Sequence, residues 1–129
     1  QELADSALRV PLGGGLEPGE EAVLEMDFRV EVPQEMGRNY GLFGLFEGVL
    51  TLHEAYPVIP VYDDEGWNVE IAPVYADDVY ADVALFDVEL TAPVDMTPVA
   101  SGVCVSQGEG RWSCQAAPMR EFTLILGRN

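Results

Sequence analysis

The feature that most constrains this chain is a two-residue alternation running from Glu21 to Val32. Its even positions are Ala22, Leu24, Met26, Phe28, Val30 and Val32, all apolar. Its odd positions are Glu21, Val23, Glu25, Asp27, Arg29 and Glu31, nearly all charged. In extended backbone, successive side chains point to opposite faces. Twelve residues in this pattern therefore predict a strand with one buried and one wet face. Pro18-Gly19 opens the segment and Pro33 closes it.

The rest of the chain reads as further strands. Phe43, Leu45 and Phe46 are candidate core anchors within the glycine-punctuated stretch from Gly37 to Gly48. Val49 to Leu52 predicts a strand, and Val58 to Tyr62 predicts another at an edge or bulge because of Pro60. Tyr80 to Leu90 predicts a long strand. Its start is apolar on both faces (Ala81, Val83, Leu85), so cover is expected there on both sides. Val99 to Val105 and Arg111 to Ala116 predict a hairpin around Ser106–Gly110. Phe122, Leu124 and Leu126 alternate in a last strand. No segment of helical length keeps a 3.6-residue period. The expected class is all-β, an antiparallel β-sandwich in one domain spanning 1–129.

Composition supports a packed core and excludes some partners. The chain has 129 residues, 48% of them apolar, which suits one domain. Acids outnumber bases 23 to 6, for a net charge of −17, and every base is an Arg. A chain so acidic cannot neutralise a row of phosphates, which argues against nucleic acid and against anionic lipid. No apolar run approaches the roughly 20 residues needed to span a bilayer. The opening Gln1-Glu2-Leu3-Ala4 does not read as a signal peptide.

Cys104 and Cys114 lie symmetrically on the two arms of the expected hairpin. Directly opposed strand residues have Cβ atoms about 4.5–5.5 Å apart, and a non-hydrogen-bonded pair can close to disulfide distance. The pair is read as a disulfide, worth roughly 2–3 kcal/mol in the chain-entropy account. That bridge places the chain outside the cytoplasm, in the extracellular space or cell envelope.

Catalytic and metal patterns are thin. His53 is the only histidine, and His53-Glu54-Ala55-Tyr56-Pro57 fails the HExxH motif at its second His. Pro57 would also break the helix that motif needs. His53 is therefore read as a partly exposed strand-end residue. Ser6, Ser101, Ser106 and Ser113 would all have to share it as a base, and no GxSxG elbow occurs. Gly13-Gly14-Gly15 lacks the spacing and the Lys of a P-loop. No catalytic or metal residue, and no cofactor, is expected in this chain. Asp63-Asp64-Glu65, Asp77-Asp78 and Asp82 are read as solvated loop charge, with convergence on a calcium ion as the alternative. Tyr56, Tyr62, Trp67, Tyr75 and Tyr80 are read as sandwich core with hydroxyls at its rim; a surface for sugars or cationic peptides is the alternative.

The order of several short motifs carries a family resemblance. Leu8-Arg9-Val10-Pro11-Leu12 comes first, and Leu16-Glu17-Pro18-Gly19-Glu20 then precedes the long strand. Ala55-Tyr56-Pro57-Val58-Ile59-Pro60-Val61-Tyr62-Asp63 and Gly66-Trp67-Asn68 follow. Then come Phe86-Asp87-Val88-Glu89-Leu90-Thr91-Ala92-Pro93, Ala100-Ser101-Gly102 and Met119-Arg120-Glu121-Phe122-Thr123-Leu124. This order resembles the saddle-shaped N-terminal β-domain of M1-family zinc aminopeptidases over roughly residues 8 to 126. The family's HExxH helix, its distant Glu ligand and its GxMEN motif belong to a catalytic domain this chain lacks, and zinc is expected only there. The family's opening strands ahead of the "PG" strand are also missing. The strand before Pro60-Val61-Tyr62-Asp63 has no Gln, so no substrate-binding residue carries over. His53 or Glu54 is placed near the wall of the substrate pocket.

The resemblance implies a non-catalytic fragment of a larger peptidase, packing against its own catalytic domain. With part of its surface uncovered, the isolated fragment is expected to form a homodimer or make edge contacts. The alternative is a free-standing extracellular binding or adhesion domain.

Overall fold

The structure is a computed structural model and describes residues 2–3, 7–34, 42–69 and 80–128. It contains strands β1 (Glu2–Leu3), β2 (Ala7–Leu8), β3 (Phe43–Phe46), β4 (Val49–His53), β5 (Tyr62–Asp63) and β6 (Gly66–Trp67). These are followed by β7 (Ala84–Thr91), β8 (Met96–Ala100), β9 (Val103–Gly108), β10 (Arg111–Met119) and β11 (Thr123–Arg128). There is no α-helix among the described residues. Every pairing is antiparallel, so the fold is all-β, as the sequence predicts.

Two sheets build the body. One has the order β3-β4-β11-β8 and the other β7-β10-β9; β1-β2 and β5-β6 are separate short ribbons. The centre of the first sheet is the alternation in β11. Leu124 lies opposite Leu52 and Ala100, and Leu126 lies opposite Leu50 and Pro98. Leu124 and Leu126 are buried together with Phe122, Cys114 and Ala116. Leu50, Leu52, Phe86, Val88 and Leu90 pack around them, so both sheets feed one apolar core.

The β9–β10 hairpin forms with its cysteines in register. Cys104 faces Cys114, their Cα atoms are 4.0 Å apart, and they are joined by a disulfide. The turn is the pair Glu109-Gly110, with φ of 54° and 73°. Two successive positive φ values define the turn whose twist matches paired strands. Gly110 has a second reason to be glycine. Its carbonyl accepts the Ala92 N–H at 2.8 Å, and a Cβ there would run into the Ala92 carbonyl.

Several sequence expectations give way. Glu21–Val32 joins no strand, and Leu24, Met26, Phe28 and Val30 stay exposed. Alternation supplies a face, but a strand also needs a neighbour's edge, and among the described residues this segment has none. Only its end is held, where the Pro33 carbonyl accepts the Leu45 N–H at 2.8 Å. Val58–Val61 is not a strand; pairing starts only at Tyr62, beyond Pro57 and Pro60, which lack donors. The strand expected from Tyr80 begins at Ala84, because the ladder to β10 ends at the Met119↔Ala84 pair. Val83 and Leu85 are exposed, not covered on both sides. The stretch Val99–Val105 divides between two sheets. Ser101 exchanges bonds with Thr123, its N–H donating to the Thr123 carbonyl and its Oγ accepting the Thr123 N–H. Gly102 then passes so close to Gln115 that a Cβ would overlap its carbonyl. Gly37 to Gly41 lies outside the described residues, while Phe43 and Leu45 are half-buried and Phe46 is exposed.

Candidate functional site

Three groups of side chains stand out. The first gathers around His53, the last residue of β4. Its register partner is Thr123, and it shares the outer face of the sheet with Thr51, opposite the face of Leu50 and Leu52. His53 Nδ1 lies 2.8 Å from Thr123 Oγ1, and Nε2 lies 3.8 Å from Glu121 Oε2. Glu54 follows with φ of 49°, a left-handed residue that turns the chain out of the strand. One ligand atom each from His53, Glu54 and Glu121 lie within 4.8 Å of one another, and all three residues are half-buried. A nitrogen and two carboxylates can coordinate a divalent cation. The sole histidine cannot supply the paired histidines of a zinc helix. His53 thus sits at a strand end, partly exposed, as the sequence predicts, and its neighbour Glu54 joins it. Glu121 was not legible as their companion, because only the β4–β11 register brings it there.

The second group is aromatic. The Phe122 N–H donates to Tyr56 Oη at 2.7 Å. Phe86 stands between these residues, with ring centroids 5.6 Å from Tyr56 and 5.7 Å from Phe122. Burial raises the Tyr56 hydroxyl above the usual tyrosine pKa, and the negative charges of Glu54 and Glu121 push the same way. Beside these rings an apolar cleft of about 340 Å³ opens between β4, β7 and β11, lined by Leu52, Leu85, Phe86, Val88 and Leu124.

The third group is the β5–β6 ribbon. Tyr62 and Trp67 are cross-strand partners, 5.0 Å apart at 69°. Asp63 organises the turn, accepting the Glu65 N–H through Oδ1 at 2.9 Å and the Tyr80 O–H through Oδ2 at 3.1 Å. That bond, with burial and the charges of Asp63 and Asp82, raises the Tyr80 pKa. Tyr62, Trp67 and Tyr80 are exposed, not the core aromatics the sequence suggests; of the four among the described residues, Tyr56 alone packs on the core. Tyr75, Asp77 and Asp78 lie outside the described residues. Both oxygens of Asp63 already accept bonds, and Asp64, Glu65 and Asp82 are exposed.

No protein-family model, curated protein or solved structure matches this chain.

Proposed function

We propose that this chain is a non-catalytic β-domain that packs against a partner domain, and that the partner is the catalytic domain of an M1-like zinc metallopeptidase. The observation that carries the first half is the exposed alternating segment Glu21–Val32. Burying one such side chain fully is worth roughly 1.5–3 kcal/mol, and four of the five large residues on its apolar face are exposed by 42–54%. Apolar side chains exposed together along one short segment mark a surface for another protein element.

The identity of the partner rests on the resemblance, and one feature of the fold supports it. Tyr56, Phe86 and Phe122 come from three separate landmark segments and meet in one aromatic cluster. On this reading the domain is a saddle-like sandwich that performs no turnover. His53, Glu54 and Glu121 help wall the substrate pocket, and zinc is held by the partner. The disulfide fits an extracellular or cell-envelope setting.

The test is the longer gene product. A coding sequence that continues into HExxH and a further Glu, with Glu21–Val32 slow to exchange amide hydrogens in that longer protein and fast in the isolated chain, supports the proposal. Continuation into repeats or a stop, with the segment fast in both, supports the alternative of a free-standing extracellular binding or adhesion domain.

A further inference from the structure

The β5–β6 ribbon is left out of the core and out of the reading above, yet it is organised. Tyr62, Trp67 and Tyr80 are 66%, 59% and 57% exposed. Two large aromatics paired across a short ribbon and left in water are unusual, because each forgoes burial. Their arrangement is fixed from below: Asp63 ties Tyr80 to the turn, and the Asn68 N–H closes the ribbon on the Val61 carbonyl at 2.9 Å.

The rings do not form one flat platform. At 69°, one ring presents its edge to the face of the other. The ring faces left open to water suit a compact cation, which is drawn to the negative face of a ring. A flat sugar ring needs a plane. Charge points the same way. Asp64 and Glu65 form the turn of the same ribbon, Asp82 acts on the Tyr80 hydroxyl that Asp63 holds, and all three are exposed; the sequence carries no Lys or Arg from position 39 to 110. The one base bonded to this region among the described residues is Arg120, whose guanidinium donates to the Ala81 carbonyl.

We propose that the β5–β6 ribbon is a docking surface for a cationic segment of a partner protein, with Tyr62 and Trp67 receiving Arg or Lys side chains and Asp64, Glu65 and Asp82 supplying the opposing charge. The occupant is a basic peptide chain. The surface works whether or not the neighbouring domain is a peptidase, since the ribbon belongs to this chain alone.

Calorimetric titration of the full chain with a hexa-arginine peptide at physiological salt tests this. Any chain of this charge attracts polycations weakly, so the variants decide. Tyr62→Ala/Trp67→Ala leaves the charge unchanged and should weaken binding about five-fold or more, as expected for two lost cation–π contacts. Asp64→Asn/Glu65→Gln should weaken it similarly, and more at low salt. Glu25→Gln/Asp27→Asn/Glu31→Gln removes as much negative charge or more elsewhere and should leave binding within two-fold. All these positions are exposed, and an unchanged urea midpoint verifies folding. The proposal is overturned if the aromatic variant binds as tightly as the parent, if hexa-arginine does not bind, or if a neutral hexasaccharide binds in its place.

Discussion

Two stretches of this chain carry the same alternation and meet opposite fates. In Phe122–Leu126 the apolar set Phe122, Leu124 and Leu126 is buried, each at 7% exposure or less. In Glu21–Val32 a longer and cleaner set lies in water. The difference is company. β11 has β4 on one side and β8 on the other, so its ladder is satisfied and its apolar face meets the second sheet. Glu21–Val32 has no strand partner among the described residues, and only Pro33 just beyond it bonds to β3, through Leu45. A period of two specifies which face is apolar; it does not supply the edge that makes a strand.

The strongest way to break this comparison is to truncate both stretches. Leu124→Ala should destabilise the chain by about 2–5 kcal/mol, through lost burial and a residual cavity. Phe28→Ala should stay within about 0.5 kcal/mol in the isolated chain, as an exposed substitution does. Urea unfolding measures both, and equal costs would mean that Glu21–Val32 is packed after all.

A second expected effect belongs to the buried region. Replacing Cys104 and Cys114 by Ser should cost roughly 2–3 kcal/mol through the freed hairpin of the unfolded chain. The unfolding midpoint under reducing and oxidising conditions checks it, and a parent chain insensitive to reductant would contradict it. Gly110→Ala should cost roughly 1–3 kcal/mol, because it forces both a positive φ and a clash with Ala92. Gly13→Ala, in the exposed loop ahead of Glu21, meets nothing and should be near neutral in the same unfolding assay.

The smallest effect concerns Tyr56. Tyr56→Phe leaves the Phe122 N–H without its acceptor and should cost about 1 kcal/mol. Because folding raises the Tyr56 pKa, the folded state holds its proton more tightly than the unfolded state does. The stabilisation is complete below about pH 10, the ordinary tyrosine range, and is lost as pH rises through the folded value. An ultraviolet titration should show Tyr56 among the late-ionising tyrosines, and its signal should vanish in Tyr56→Phe.

Much of the β9–β10 hairpin was legible because local signals agreed: a glycine-containing loop, alternation on both arms, and cysteines at matched distances. The β3–β4 hairpin was less so. Only β4 reads clearly, and its turn at Glu47-Gly48, with φ of 48° and 81°, hides inside a run of glycines. The grouping of His53 with Glu121 was not legible at all. It depends on a register between strands separated by some 70 residues, and no local pattern encodes that. The exposure of Tyr62 and Trp67 was likewise hidden, since an aromatic pair across a short ribbon reads the same whether its face meets a core or water.

By itself the sequence determined the all-β class, the hairpin around Glu109-Gly110 and its cysteine pair, and the apolar face of Phe122–Leu126. These follow from backbone geometry and turn chemistry within a few residues. The tertiary structure decided which alternating faces found a partner, where the chain crosses between sheets at Ser101-Gly102, and which polar side chains converge. Those outcomes depend on pairings between distant segments, and burial is a property of the neighbours a residue meets.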